Sequence, residues 1–133
     1  MRRILIWSVP LLLVGIVGLW PIPATGLPVY NVVDFGAFGN GDPASAAVNT
    51  TAFQNAINAA SATPGVLYIP PSQGFVVNNG QLKITASNVS VRGDSTMGSA
   101  SSLGQTSTII GKGQGHTLVV NGHGSSVKGL SFK

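Results

Sequence analysis

Three carboxylates, two imidazoles and a few scattered cations are what this chain offers for chemistry. The acids are Asp34, Asp42 and Asp94, with no Glu and no Cys among 133 residues. Glycoside hydrolysis needs two carboxyl groups flanking one bond. Asp94 follows Arg92-Gly93 at a corner, Asp42 precedes Pro43 in a loop, and Asp34 reads as a turn-stabilising acceptor, so no working pair is expected. β-Elimination from a uronate needs a base, with cations neutralising the sugar carboxylate. Arg92 and Lys128 suit that role if they stack one layer apart and face a polyanion; the plainer reading is a ladder of solvated cations. His116 and His123 stand beside glycines and read as corner residues, and two imidazoles fall short of the three protein ligands of a catalytic zinc. The candidate catalytic residues are therefore Arg92, Asp94, Lys128 and His123, with no cofactor and no metal site expected.

The elements that must position these residues begin after an export signal. Met1-Arg2-Arg3 is a short positive start, an apolar run extends from Ile4 to Trp20, and Ala24 and Gly26 are small residues suited to signal peptidase. Residues 1–26 are read as a signal peptide cut before Leu27, with a cut after Ala24 as the alternative. If the segment stays uncleaved, it is the chain's only expected contact with a membrane. The expected location is secreted or periplasmic, and the lack of cysteine in an exported chain fits a bacterium.

The formal net charge is +4, but Arg2 and Arg3 lie in the leader. From Leu27 onward five cations face three anions, a net +2, and Lys83, Arg92, Lys112, Lys128 and Lys133 are dispersed. A nucleic-acid partner is not expected, because no basic patch forms.

Val29 to Phe35 reads as a strand, followed by a glycine-rich turn from Gly36 to Pro43. One helix is expected at about Thr51 to Ser61. Thr51 and Gln54 have capping-box spacing, Phe53, Ala56, Ile57 and Ala60 form an apolar stripe, and Thr63-Pro64-Gly65 ends it. After Gly65, short β-rich runs alternate with Gly, Ser, Asn and Pro: Val66–Ile69, Phe75–Val77, Leu82–Ile84, Val89–Val91, Thr108–Ile110, Leu118–Val120 and Val127–Phe132. Such runs suit a sandwich, a barrel or a solenoid. Asn88-Val89-Ser90-Val91-Arg92-Gly93 is echoed by Ser125-Ser126-Val127-Lys128-Gly129-Leu130 with a one-residue slip, which favours the solenoid. Asn79-Gly80 and Asn121-Gly122 have the composition of hairpin turns, but most other links are longer corners.

These residues resemble a family. Asn31-Val32-Val33-Asp34-Phe35-Gly36-Ala37-Phe38-Gly39-Asn40-Gly41 looks like the N-terminal signature of the pectate lyase-like superfamily. That superfamily includes rhamnogalacturonase- and epimerase-like proteins, polygalacturonases and phage tailspikes. Ala52-Phe53-Gln54-Asn55-Ala56-Ile57 is similar to the helix after that signature, and Gly65-Val66-Leu67-Tyr68-Ile69-Pro70-Pro71 to its first strand and proline corner. Gly122-His123-Gly124 resembles the Gly-His-Gly motif of polygalacturonases, but no aspartate-bearing motifs precede it here. The stretch from Asp42 to Thr50 holds fewer Asp than the family usually carries, and Asn49 or Thr50 is read as a replacement cap.

The resemblance implies an all-β fold: a right-handed parallel β-helix, or single-stranded solenoid, of which residues 27–133 form the N-terminal coils with one capping α-helix. It implies a secreted protein acting on a pectin-like, polyanionic polysaccharide as a lyase or glycoside hydrolase, and calcium as a family cofactor whose ligands are not found here. Because the family's catalytic groups usually lie on later coils, the chain is expected to be an N-terminal fragment, inactive alone. The alternative is a non-catalytic carbohydrate-binding or structural, spike-like module.

Overall fold

Alternation of inward apolar and outward polar residues makes the strands, and glycine or asparagine corners keep them short. The computed structural model describes residues 26–95 and 106–133. The export signal therefore lies almost entirely outside the described residues, as does most of the loop between Ser95 and Ser107. The strands are β1 (Val29–Asn31), β2 (Val66–Ile69), β3 (Phe75–Asn78), β4 (Lys83–Ile84), β5 (Ser90–Gly93), β6 (Thr108–Lys112), β7 (Val119–Val120), β8 (Ser126–Lys128) and β9 (Ser131–Phe132). One α-helix, α1 (Ala46–Ala62), and two short 3-10 helices, Val32–Phe35 and Pro43–Ser45, complete the described elements.

The strands form three small sheets, ordered β1-β2-β5-β8, β3-β6-β9 and β4-β7. All of these ladders are parallel. The Asn-Gly pairs therefore close no hairpins, and the one antiparallel contact described is a single bridge between Ser72 and Thr106. Parallel register stacks like on like. Leu67 pairs with Val91 and Val91 with Val127; Phe75 pairs with Ile109 and Ile109 with Phe132; Ile84 pairs with Val120. Leu67, Val91, Phe75, Ile109 and Ile84 are all buried in one core, whereas Val120, Val127 and Phe132 on the outermost strands stay exposed.

The helix is longer than its apolar stripe suggests. Asp42 accepts a hydrogen bond from the Ala44 amide at 2.8 Å and Pro43 occupies the first turn, so the chain coils as a 3-10 helix and runs straight into α1. Thr51 is inside the helix, not at its cap, and donates to the Ala47 carbonyl. Ala52, Phe53, Ala56, Ile57 and Ala60 are buried, and Phe53 meets Phe75 edge-to-face with ring centroids 5.5 Å apart. Asn49 and Thr50 are not caps either; they are buried within α1 and tie it to the sheet. Asn49 donates to the Val76 and Phe38 carbonyls and accepts from the Phe38 amide, while the Thr50 hydroxyl accepts from the Asn78 amide.

The expected fold class is corrected by these elements. The chain is not an all-β solenoid: it has mixed α/β content, with short parallel strands in three small sheets plus one helix, and no closed solenoid is found among the described residues. The physical reason is that α1, at 17 residues, does more than cover an end: five of its side chains belong to the same core as the sheets. The strand expected from Val29 to Phe35 also shortens. After Asn31 the chain turns into a 3-10 helix, and the Asn31 side chain, rather than Asp34, is the local acceptor, taking the Val33 amide at 3.0 Å.

Candidate functional site

The outer face of the β1-β2-β5-β8 sheet gathers three of the four candidate residues. Alternation in β2 sends Leu67 and Ile69 into the core and leaves Val66 and Tyr68 half-buried on the other face. β5 and β8 repeat the pattern, leaving Ser90 and Arg92, then Ser126 and Lys128, outside. In register, Asn31, Tyr68, Arg92 and Lys128 form one row across the four strands. Adjacent strands lie about 4.8 Å apart, so the row spans roughly 14 Å. Beside it runs a second row, Val29, Val66, Ser90 and Ser126, whose two serine hydroxyls hydrogen-bond to each other at 3.0 Å.

Asp94 stands at the end of β5. Its amide donates to the Ser107 hydroxyl at 2.7 Å, and its carboxylate accepts the Tyr68 hydroxyl. That hydrogen bond, supported by burial and the negative charge of Asp94, pushes the Tyr68 phenol above its ordinary range, while the positive charge of Arg92 pulls the other way. Tyr68 is therefore a protonated donor at neutral pH. Two grooves flank the row. One, of about 500 Å³, is lined by Ser90, Arg92, Asp94, Ser95, Lys128 and Gly129 among others; the second, of about 380 Å³, by Val29, Val66, Tyr68, Arg92 and Asp94.

Close packing at the sheet edge fixes this geometry. Gly93 sits against Gly129, where an added Cβ would collide with the Gly129 carbonyl and the Ser107 and Leu130 side chains. Gly129 itself has φ +66°, a conformation that favours glycine.

The remaining candidates lie elsewhere. His123 is exposed at the corner before β8, where its carbonyl accepts the Asn88 amide, and His116 receives the Gly80 amide in the same way. Asp34 lies in the first 3-10 helix, and the carboxylate of Asp42 is occupied with the Ala44 amide. The three carboxylates thus belong to three separate local structures, and no group of three His, Asp or Glu gathers among the described residues. Calcium wants six to eight oxygens, several from carboxylates. With Asp42 and Asp94 already engaged locally, the residues present do not fit such a site.

Tyr68 stands in this row although the sequence pattern did not single it out. Its signal is its offset: it is the outward residue that precedes Ile69 in β2, as Arg92 precedes Gly93 in β5. No family model, curated protein or solved structure matches the chain. Among the described residues, no helix is long and apolar enough to cross a membrane.

Proposed function

We propose that the outer face of the β1-β2-β5-β8 sheet binds an acidic, pectin-like polysaccharide, in an exported protein similar to the pectate lyase-like superfamily. The in-register row of Tyr68, Arg92 and Lys128 carries this reading. An aromatic ring beside two cations offers a sugar ring an apolar surface and its carboxylates a charge partner. The polymer runs across the strands along this row, so successive uronates meet side chains of successive strands.

Binding is the activity this site supports. No hydrolytic carboxylate pair is assembled among the described residues, and the Tyr68 phenol is held in its protonated form by Asp94. We therefore expect the chain to bind polygalacturonate without cleaving it, the exposed Arg92 and Lys128 pairing as cations with uronate carboxylates instead of removing a proton. The test is titration calorimetry of the protein with polygalacturonate and with its fully methyl-esterified form, alongside assays for unsaturated and reducing products. Binding of the acid form alone, without products, is the expected result. Equal binding of the esterified polymer, or no binding to either, would overturn the reading.

A further inference from the structure

A separate groove, about 530 Å³ in volume, lies between the loop after the first 3-10 helix and the corner after β2. Its chemistry differs from that of the Arg92 face. Among the described residues no ionisable side chain lines it; its walls carry Phe38, Asn40, Pro70, Pro71, Ser72 and Gln73, and buried Phe75 forms part of the lining. Phe38 is 56% exposed and lies outside the core, so its ring is free to meet a ligand.

The backbone that carries the ring is nevertheless held in place. The Asn49 side chain, fully buried, accepts the Phe38 amide at 2.7 Å and donates to the Phe38 carbonyl at 3.0 Å. The two walls are joined by backbone hydrogen bonds from Gln73 to Gly39 (3.1 Å) and from Gly41 to Gly74 (2.9 Å). Gly39 passes so close to Ser72 that a Cβ there would collide with the serine side chain. An exposed aromatic ring on a fixed backbone, amide and hydroxyl groups alongside, and a neutral groove within the usual size of ligand sites describe a subsite for one class of molecule.

We infer that this groove is a binding subsite for an uncharged pyranose unit of a glycan, with Phe38 stacking on the sugar face and Gln73 and Asn40 meeting its hydroxyls. It goes beyond the acidic-polymer face and does not depend on it. Neutrality of the lining selects against uronates, because a carboxylate entering it would lose water without gaining a charge partner.

The test uses the whole protein and a panel of neutral hexasaccharides, cello-, manno-, xylo- and 1,4-galacto-oligosaccharides, with decaproline and hexagalacturonate as comparators. Amide chemical shifts and calorimetry are the readouts. At least one neutral hexasaccharide should bind, with shifts centred on residues 38–41 and 72–73. Phe38→Ala should weaken it tenfold or more while leaving the melting temperature within a few degrees, and Arg92→Ala should leave it unchanged. Phe38→Trp, which keeps a stacking face, should retain it. The inference is overturned if no neutral sugar binds the folded protein, if decaproline binds there in place of the sugars, or if Phe38→Ala has no effect. Failure of hexagalacturonate to bind would count against the acidic face alone.

Discussion

Removing Arg92 and Lys128 together should cost most of the affinity for acidic polysaccharide. Both side chains are exposed, so each contact with a uronate is worth what exposed ion pairs are worth, about 0.2–1 kcal/mol. The two act on the same polymer from adjacent strands, and the upper end of that range gives about 2 kcal/mol, roughly thirtyfold in affinity. The single variants Arg92→Ala and Lys128→Ala should each lose up to about fivefold.

Salt distinguishes this from a packing effect. The Debye length falls from about 8 Å at physiological ionic strength to about 3 Å at 1 M, so the wild-type affinity should drop steeply across that range and the double variant's should hardly move. Lys83→Ala is the control, because it removes the same charge from β4, in a different sheet. The assay is calorimetry or affinity electrophoresis against polygalacturonate. If Lys83→Ala weakens binding as much as Arg92→Ala does, net charge explains the affinity and the row does not.

Three further outcomes follow from the same geometry. In a Tyr30→Phe background, Tyr68 alone titrates among the tyrosines; its phenolate absorbance should rise only above the ordinary range near 10, and Asp94→Asn should bring the midpoint down. Because the folded value is raised, the stability held in this hydrogen bond is complete below about pH 10 and disappears as pH climbs through the folded value; an unchanged midpoint in Asp94→Asn would contradict the pairing. Asn49→Ala strips partners from the Phe38 amide and carbonyl and the Val76 carbonyl, and should cost about 3 kcal/mol, lowering the melting temperature by on the order of 10 °C in thermal unfolding. Gly93→Ala forces a methyl against the Gly129 carbonyl and should cost about 2 kcal/mol in denaturant unfolding, with the Tyr68 titration shifting because Asp94 is the next residue.

How far the fold was legible depends on how local its cause is. Val66–Ile69 is a strand with the limits expected, because a glycine before it and a proline after it bound an alternating run. The helix start was not legible: capping-box spacing at Thr51 pointed inside the helix, while the real beginning lies in Asp42-Pro43 and a 3-10 turn. Asn49 and Thr50 looked like caps because both are good cap residues. Their actual partners, Val76 and Asn78, lie in β3, and no local pattern announces contacts that distant. The balance of fold class failed for the same reason, since the alanine-rich helix becomes part of the core only once the sheets exist to receive it.

The echo between the two strands was legible in kind but misregistered by one residue. The structure pairs Ser90-Val91-Arg92 with Ser126-Val127-Lys128 with no slip. What hid the match is the corner before each strand: Asn88 has φ +62° and Gly124 φ +69°, the same left-handed conformation filled by different residues. Asparagine and glycine are the two residues that tolerate it most readily, so the backbone repeats where the letters do not. Once the corners are aligned, inward valine stacks on inward valine, outward serine bonds to outward serine, and outward cation follows outward cation. Burial of the inner column fixes the register, because a one-residue slip would turn Val91 outward and Arg92 into the core. The cation row is thus a consequence of core packing: the same interaction that stabilises the sheet sets the spacing at which a polyanion would be met. Substitutions of the outward Arg92 and Lys128 should therefore change binding with little effect on stability, and substitutions in the Leu67-Val91 column should damage both.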